Sequence, residues 1–388
     1  MKKNKLKITM GIIMSALMIS GCTPSSSDNL SSGGGESVSV VDDGISRIAL
    51  LINGNLGDMS FFDSAAAGME KFKKDFPEAV VNIVEMGTDN TKWEPTLRQT
   101  ANEDYDLIIV GTNEMREPLQ RLVRNSKYND KRFILFDAEI EDNKSNNYPT
   151  VRSILFKQNE GGYLAGALAA LMTNDAGKTK TGFIGGMKID IINDFGYGFM
   201  QGVNKVNETL SKNLLAYNSY IGDFYNSPKG KTLADTMYKE GDVDVLFAAA
   251  SQAGLGCFDS AKNNQKYVIG VDSDQYDYFE KVDKAKADRI VTSVLKRVDL
   301  MLYEACETFL EGELTYGLLQ YEGLKEGKIG IVQNENYEAI VSEANRAFIN
   351  DLIDGIISEE IVVNSGLRRY TSTNDLNAYY DALDPNKQ

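Results

Sequence analysis

The chain is predicted to fold as an α/β protein built on two largely parallel sheets, and three features of the sequence lead there. Continuous runs of Ile, Val, Leu and Phe recur between residues 47 and 271, as in parallel strands buried on both faces. Segments with apolar residues at helical spacing lie between them. At 388 residues the chain is long enough for two domains, and one sheet carrying all these runs would be unusually wide. The strand-like runs are Arg47 to Asn53, Val80 to Met86, Leu107 to Val110, Phe133 to Phe136, Val151 to Phe156, Gly182 to Ile184, Leu214 to Ile221, Val243 to Phe247 and Tyr267 to Val271. Helical spacing is clearest at Tyr163, Leu164, Ala167, Leu168 and Leu171, and again at Phe348, Leu352, Ile353 and Ile356.

The first 21 residues read as an export leader. Lys2, Lys3, Lys5 and Lys7 precede an apolar stretch from Ile8 to Ile19 that is too short to span a bilayer. The stretch ends Ile19-Ser20-Gly21-Cys22, which resembles a bacterial lipobox. That resemblance implies cleavage before Cys22, lipidation of its thiol, and anchoring at the outer face of the cell membrane. From Cys22 to residue 45 the composition is mostly Ser, Gly and acidic residues. Such a tether behaves as a coil with a span on the order of 25 Å, enough to free a domain from the membrane surface.

Composition excludes several function classes. The chain carries no histidine, which removes the commonest general base, the commonest zinc ligand and the partner of a Ser or Cys nucleophile. A formal net charge of −15, with Lys and Arg gathered on no recognisable nucleic-acid-binding motif, argues against nucleic-acid binding. Beyond Cys22, only Cys257 and Cys306 remain, and their spacing suits separate buried thiols better than a metal site. Neither a metal nor a cofactor is expected.

In an open parallel sheet, ligands bind beyond the carboxyl ends of the strands, so the residues just after each apolar run are the candidates. The first run leads into Asn53-Gly-Asn-Leu-Gly57-Asp58-Met-Ser60-Phe61-Phe62-Asp63. Asp137 ends the run from Phe133, Gly185-Gly186 follow Ile184, Gly254 and Gly256 lie beyond Phe247, and Asp272 ends the run from Val268. Each alone has a structural explanation as a turn residue or helix cap, and Phe61 and Phe62 taken alone suit a core better than a site.

Taken together these segments resemble the basic membrane protein family, substrate-binding lipoproteins of ABC importers best known as purine nucleoside receptors. Asp58-Met-Ser60-Phe61 matches the family's Asp-x-Ser-Phe-Asn signature. The stretch Gln158-Asn-Glu-Gly-Gly-Tyr-Leu-Ala-Gly-Ala matches its glycine-rich helix start, and Thr181-Gly-Phe-Ile-Gly-Gly its entry to the second lobe. Phe195, Gly198-Phe199-Met-Gln-Gly202, Asp223 to Lys231, Gly270 to Gln275 and Thr292 to Lys296 follow in order. The resemblance covers about residues 46 to 365.

It implies a type I periplasmic-binding fold, two doubly wound lobes joined by three crossovers. By analogy the first lobe holds 46–153 plus 294–314 and the second 154–293 plus 315–388. Closure of the lobes on a ligand would present the importer with a shape distinct from the open form. Mapped onto this sequence, Phe61 and Phe195 would face the two sides of a nucleobase, and Asp137 would accept from base N–H groups. Asp272 and Lys296 would hold ribose hydroxyls, with a backbone amide near Gly254. Two positions depart from the pattern: Phe62 stands where the signature has Asn, and Asn53 stands near a position usually filled by Asp.

The function expected is therefore a monomeric, non-catalytic receptor that hands a nucleoside to an ABC permease and its ATPase. An exported ligand sensor, or a carboxylate-dependent nucleoside-processing enzyme, is the alternative.

Overall fold

The computed structural model describes residues 44–140 and 148–369. The leader, Cys22, nearly all of the tether and the tail beyond 369 lie outside the described residues. The chain first builds β1 (Arg47–Ile52), α1 (Phe61–Asp75), β2 (Val80–Glu85), α2 (Trp93–Asn102), β3 (Leu107–Gly111), α3 (Arg116–Val123), β4 (Arg132–Phe136) and β5 (Val151–Phe156). A long helix α4 (Gln158–Asp175) follows, then β6 (Lys180–Gly185), α5 (Asp190–Leu210), β7 (Leu215–Tyr220), α6 (Ser227–Lys239), β8 (Val245–Ala249) and α7 (Ser251–Asn264). Next come β9 (Tyr267–Asp272), two short helices α8 (Gln275–Glu280) and α9 (Lys284–Ala287), and β10 (Ile290–Lys296). The remainder is α10 (Val298–Leu310), β11 (Leu318–Glu322), β12 (Ile329–Ile331), α11 (Glu335–Ile340), α12 (Glu343–Ile357) and α13 (Gly366–Arg369).

These strands form two six-stranded sheets, ordered β11-β5-β4-β3-β1-β2 and β12-β10-β9-β8-β6-β7. Every neighbouring pair is parallel except β10 with the edge strand β12. The period of two is visible in β1, where Ile48, Leu50 and Ile52 enter one apolar cluster and Ala49 and Leu51 another. Both faces are covered, which is why the run reads as continuously apolar.

The chain passes between the sheets three times, after β5, after β10 and after β11. This corrects the expected lobe boundaries at two points. Residues 294–296 complete β10 of the second sheet, and β11, expected in the second lobe, pairs with β5 at the edge of the first. The alternation in Leu318-Leu-Gln-Tyr-Glu322 is weak because this strand is only half-buried. The helix after β10 does pack on the first lobe: α10 lies against α1 so closely that a Cβ on Gly68 would stand 2.3 Å from the Asp299 carbonyl oxygen.

In the second lobe α4 is buried almost all round, and it crosses α5 at four glycines. A Cβ on Gly162 or Gly166 would lie 2.2 Å or 2.0 Å from the carbonyl oxygens of Phe195 and Phe199. A Cβ on Gly198 or Gly202 would lie 2.0 Å or 2.1 Å from those of Asn159 and Tyr163. The glycine-rich motifs of the sequence are thus the two halves of one backbone-to-backbone contact.

The same helix pair holds the segment from Val363 to Gly366. Asn159 Nδ2 donates to the Val363 carbonyl at 2.9 Å, and the buried Asp194 carboxylate accepts from Gln158 Nε2 at 2.7 Å, Ser365 Oγ at 2.9 Å and the Gly366 amide at 2.6 Å. Burial pushes the Asp194 carboxyl up to about 7 from its ordinary 3.8, against the pull of these donors. A carboxyl raised on folding favours the native state at low pH, and that contribution is lost as pH rises from about 4 through about 7. Thermal melts across that range should show a shallower fall in Tm for Asp194→Asn than for the parent.

The two cysteines are free and buried, Cys257 in α7 and Cys306 in α10, as their spacing suggested. Among the described residues no helix is long and apolar enough to cross a membrane.

Candidate ligand-binding cleft

The carboxyl ends of both sheets face one cavity, and the residues that line it sit where the strands stop. In the first sheet the order reverses between β1 and β3, so the segments leaving these strands splay apart and open a crevice. Asn53 and Thr112 flank it, with Asn53 Nδ2 donating to Thr112 Oγ1 at 2.8 Å. In the second sheet the reversal lies between β6 and β8, and Ala249, Ala250 and Ser251 line the cavity from there.

The loop from Gly57 to Asp63 is built by two carboxylates. Asp58 accepts from the amides of Ser60, Phe62 and Asp63 at 3.0, 3.0 and 3.1 Å, capping α1. Asp63 reaches back to the amides of Gly57 and Met59 at 2.7 and 2.8 Å. This folds Phe61 and Phe62 inward, edge to face at 5.4 Å, with Phe61 also stacked on Phe136 at 5.6 Å. Phe195, 2% exposed, lines the cavity from α5.

Lys296 ends β10 with its side chain only 2% exposed. Its ammonium pairs with Asp137 and lies 5.3, 5.1 and 5.6 Å from the ring centres of Phe61, Phe156 and Phe195. An ammonium so placed is held by ring faces as well as by its carboxylate. Asp272, at the end of β9, accepts a hydrogen bond from Ser60 Oγ instead. Burial, with the charges of Asp58 and Asp137 adding to it, pushes the Asp272 carboxyl up to about 7; Lys296 and Ser60 act in the opposite direction. Burial also raises Asp58, against three backbone amides. Three aspartates against one lysine make the cleft hostile to a further negative charge.

Of the positions singled out in the sequence, Asn53, Phe61, Phe62, Asp137, Phe195, Asp272 and Lys296 come together around the cavity. Two do not. Ser60 is fully buried beside it, committed to Asp272. Gly254 lies inside the first turns of α7, where its amide donates to the Ala250 carbonyl at 3.2 Å and so is not offered to a ligand. Asp272 and Lys296, expected as a pair, are each bonded to another residue. Asn53 commits one of its two Nδ2 hydrogens to Thr112, and its buried Oδ1 has no hydrogen-bond partner.

Other lining residues carried no assignment from sequence: Trp93, Thr112, Phe224, Tyr225 and Ser251. Thr112 and Ser251 lie one and two residues beyond apolar strands, where the rule about strand ends would have found them. Trp93, the single tryptophan of the chain, stands at the start of α2 with its indole N–H on the Gly87 carbonyl at 2.8 Å, and no periodicity marks it. Four wall residues adopt positive φ without being glycine, Thr112 (70°), Asp137 (57°), Ser251 (48°) and Asp272 (68°), as does Met59 (52°) in the loop beside them. Such strain gathers where surrounding structure fixes a residue for use.

Comparison with known proteins agrees with this geometry. The family profile described as "ABC transporter substrate-binding protein PnrA-like" matches residues 45–364. The chain belongs to this family. A relative in Listeria innocua, the CD4+ T-cell-stimulating antigen, is 30% identical over 380 residues, covering 92% of this chain and 98% of the relative. The ABC transporter nucleoside-binding protein BmpA of Lactococcus lactis is 28% identical over 378 residues, covering 92% and 99%. Among solved structures, an ABC transporter solute-binding protein from Aeropyrum pernix K1 superposes with a TM-score of 0.75 at 25% identity, over 86% of this chain and 96% of that one. The fold of this PnrA-like family member is that of type I solute-binding proteins, two parallel-sheet lobes about a cleft.

Proposed function

We propose that this chain is the lipid-anchored receptor of an ABC importer, captures a purine nucleoside in its cleft outside the cell, and performs no chemistry on it. The observation that carries the reading is the cavity itself. Ring faces of Phe61 and Phe195 stand close to a buried Lys296, and Asn53, Asp137 and Asp272 bring polar groups to the same space. A nucleobase suits aromatic faces, where stacking is worth about 1–3 kcal/mol per base, and ribose hydroxyls suit a carboxylate and an ammonium. The nucleoside-binding name of the Lactococcus relative points the same way. The anchor rests on the lipobox-like Cys22 and the tether, which would keep the cleft beside the permease that receives its ligand.

Trp93 supplies a built-in reporter, since the chain has one tryptophan and it lines the cleft. Titration with guanosine, inosine, adenosine and uridine should change its fluorescence and raise Tm, with purines ahead of uridine and each nucleoside recovered intact. Release of free base or sugar would overturn the receptor reading in favour of an enzyme. Nucleoside monophosphates should bind at least tenfold more weakly than the parent nucleosides, because their phosphate would enter a cleft with three aspartates. Equal affinity would remove the charge argument. Phe61→Ala is expected to weaken all bases together, by roughly 10-fold to 100-fold in Kd, as loss of a stacking face should.

A further inference from the structure

Across the cleft run hydrogen bonds that use no atom outside the chain, and two of them mirror each other. Ser60 of the first lobe donates its hydroxyl to Asp272 of the second, and Ser251 of the second donates to Asp58 of the first, the latter at 3.0 Å. Gln275 Nε2 adds a bond to the Met59 carbonyl at 3.1 Å, and Ser273 Oγ one to the Ser60 carbonyl at 3.4 Å. Gln275 is itself fixed, with Oε1 accepting from the Val271 amide at 2.9 Å and its own amide donating to Ser293 Oγ at 3.2 Å. The loop around Met59 and Ser60 is therefore gripped from several sides by the second lobe.

We propose that Ser60 and Ser251 are positioning residues that form a reciprocal hydroxyl–carboxylate latch, which holds the two lobes closed and sets how long a captured ligand is retained. The inference rests on the cleft being the ligand site. It extends that reading by assigning closure energy to the protein's own groups rather than to ligand contacts alone. Hydrogen bonds to buried carboxylates are among the stronger ones, because the acceptor carries charge and water is excluded. Opening the lobes would strip Asp58 and Asp272 of one hydroxyl each, a loss that rehydration of the two carboxylates offsets only in part. The serines need touch no ligand: Ser60 acts through Asp272, and Ser251 through Asp58, the cap of the helix that begins with Phe61. The left-handed backbone at Met59, Ser251 and Asp272 places all three partners within reach, a conformation that would be costly without the contacts it enables.

The test uses the full chain and its Ser60→Ala, Ser251→Ala and double variants. Stopped-flow release of inosine, read through Trp93, should be about tenfold faster in each single variant and faster again in the double, with association rates within a factor of about two of the parent. Small-angle scattering in nucleoside-free buffer should give the double variant a larger radius of gyration than the parent. Unchanged release and an unchanged radius in the double variant would overturn the latch. If inosine fails to bind the parent, the nucleoside reading falls, and the scattering comparison still decides the latch by itself. Should Ser60→Ala fail to fold, Ser251→Ala decides it through the same two readouts, because Ser251 is only half-buried and its loss leaves the backbone bonds of the loop in place.

Discussion

Lys296→Met should cost the protein both its ligand and much of its stability. The ammonium is the single cation facing Asp137 among the described ion pairs, and both groups are buried, so its removal leaves a carboxylate in a cleft that already holds Asp58 and Asp272. Breaking a buried pair by deleting one partner costs about 3–5 kcal/mol, more than the pair itself contributes, because the remaining charge is stranded. The rings of Phe61, Phe156 and Phe195 would lose their cation in the same step. Nucleoside affinity should fall by at least roughly 100-fold, the loss of one charge-assisted hydrogen bond in a dry site. A companion variant separates the two effects: Lys296→Met combined with Asp137→Asn should recover most of the lost Tm while binding stays weak. Recovery of binding in the double variant would show that Lys296 serves the fold and not the ligand.

Gly166→Ala is expected to destabilise the second lobe strongly and to reach the cleft. Its Cβ would sit 2.0 Å from the Phe199 carbonyl oxygen, an approach that neither backbone can yield without moving a whole helix. Overpacking of this kind costs about 1–3 kcal/mol where side chains can move and more where they cannot. The damage should reach the site, because α5 carries Phe195 one turn before Phe199 and any outward shift withdraws that ring from the cavity. Thermal and urea melts should show a lower midpoint, and inosine titration a weaker Kd. Gly177→Ala is the control: it stands at the end of α4 with open space around it, so it should lose only the modest cost of its positive φ and leave binding intact.

Much of the fold was readable because a strand buried on both faces must be apolar throughout. All nine strand-like runs became strands, most within one or two residues of their expected ends. What was missed follows from the same logic: β11 is half-buried at a sheet edge, β12 is three residues long, and β10 is interrupted by Thr292 and Ser293, which bond to Val332 and Gln275, and by Lys296, which lines the cleft. In the site, Asp137 and Asp272 were legible from their places at strand ends and Lys296 from the family resemblance, but their partners were not. Asp272 met Ser60 across 212 positions of sequence, and Lys296 met Asp137 across 159. Trp93 left no local signal, since a wall residue of a cavity obeys no period, and Phe224 lay in a recognised segment without a role attached to it.

By itself the sequence determined the class of fold, the number of sheets, the family resemblance and the expected route out of the cell, because buried strands, glycine crossings and leader peptides all demand particular residues at local spacing. Only the tertiary structure decided which way each polar group faces. It spent the Gly254 amide inside a helix, turned the Asn53 amide onto Thr112, gave Lys296 to Asp137, and joined two serines to two aspartates across the cleft. Those choices depend on contacts between residues distant in the chain and on backbone strained at a few points, and one-dimensional patterning carries neither.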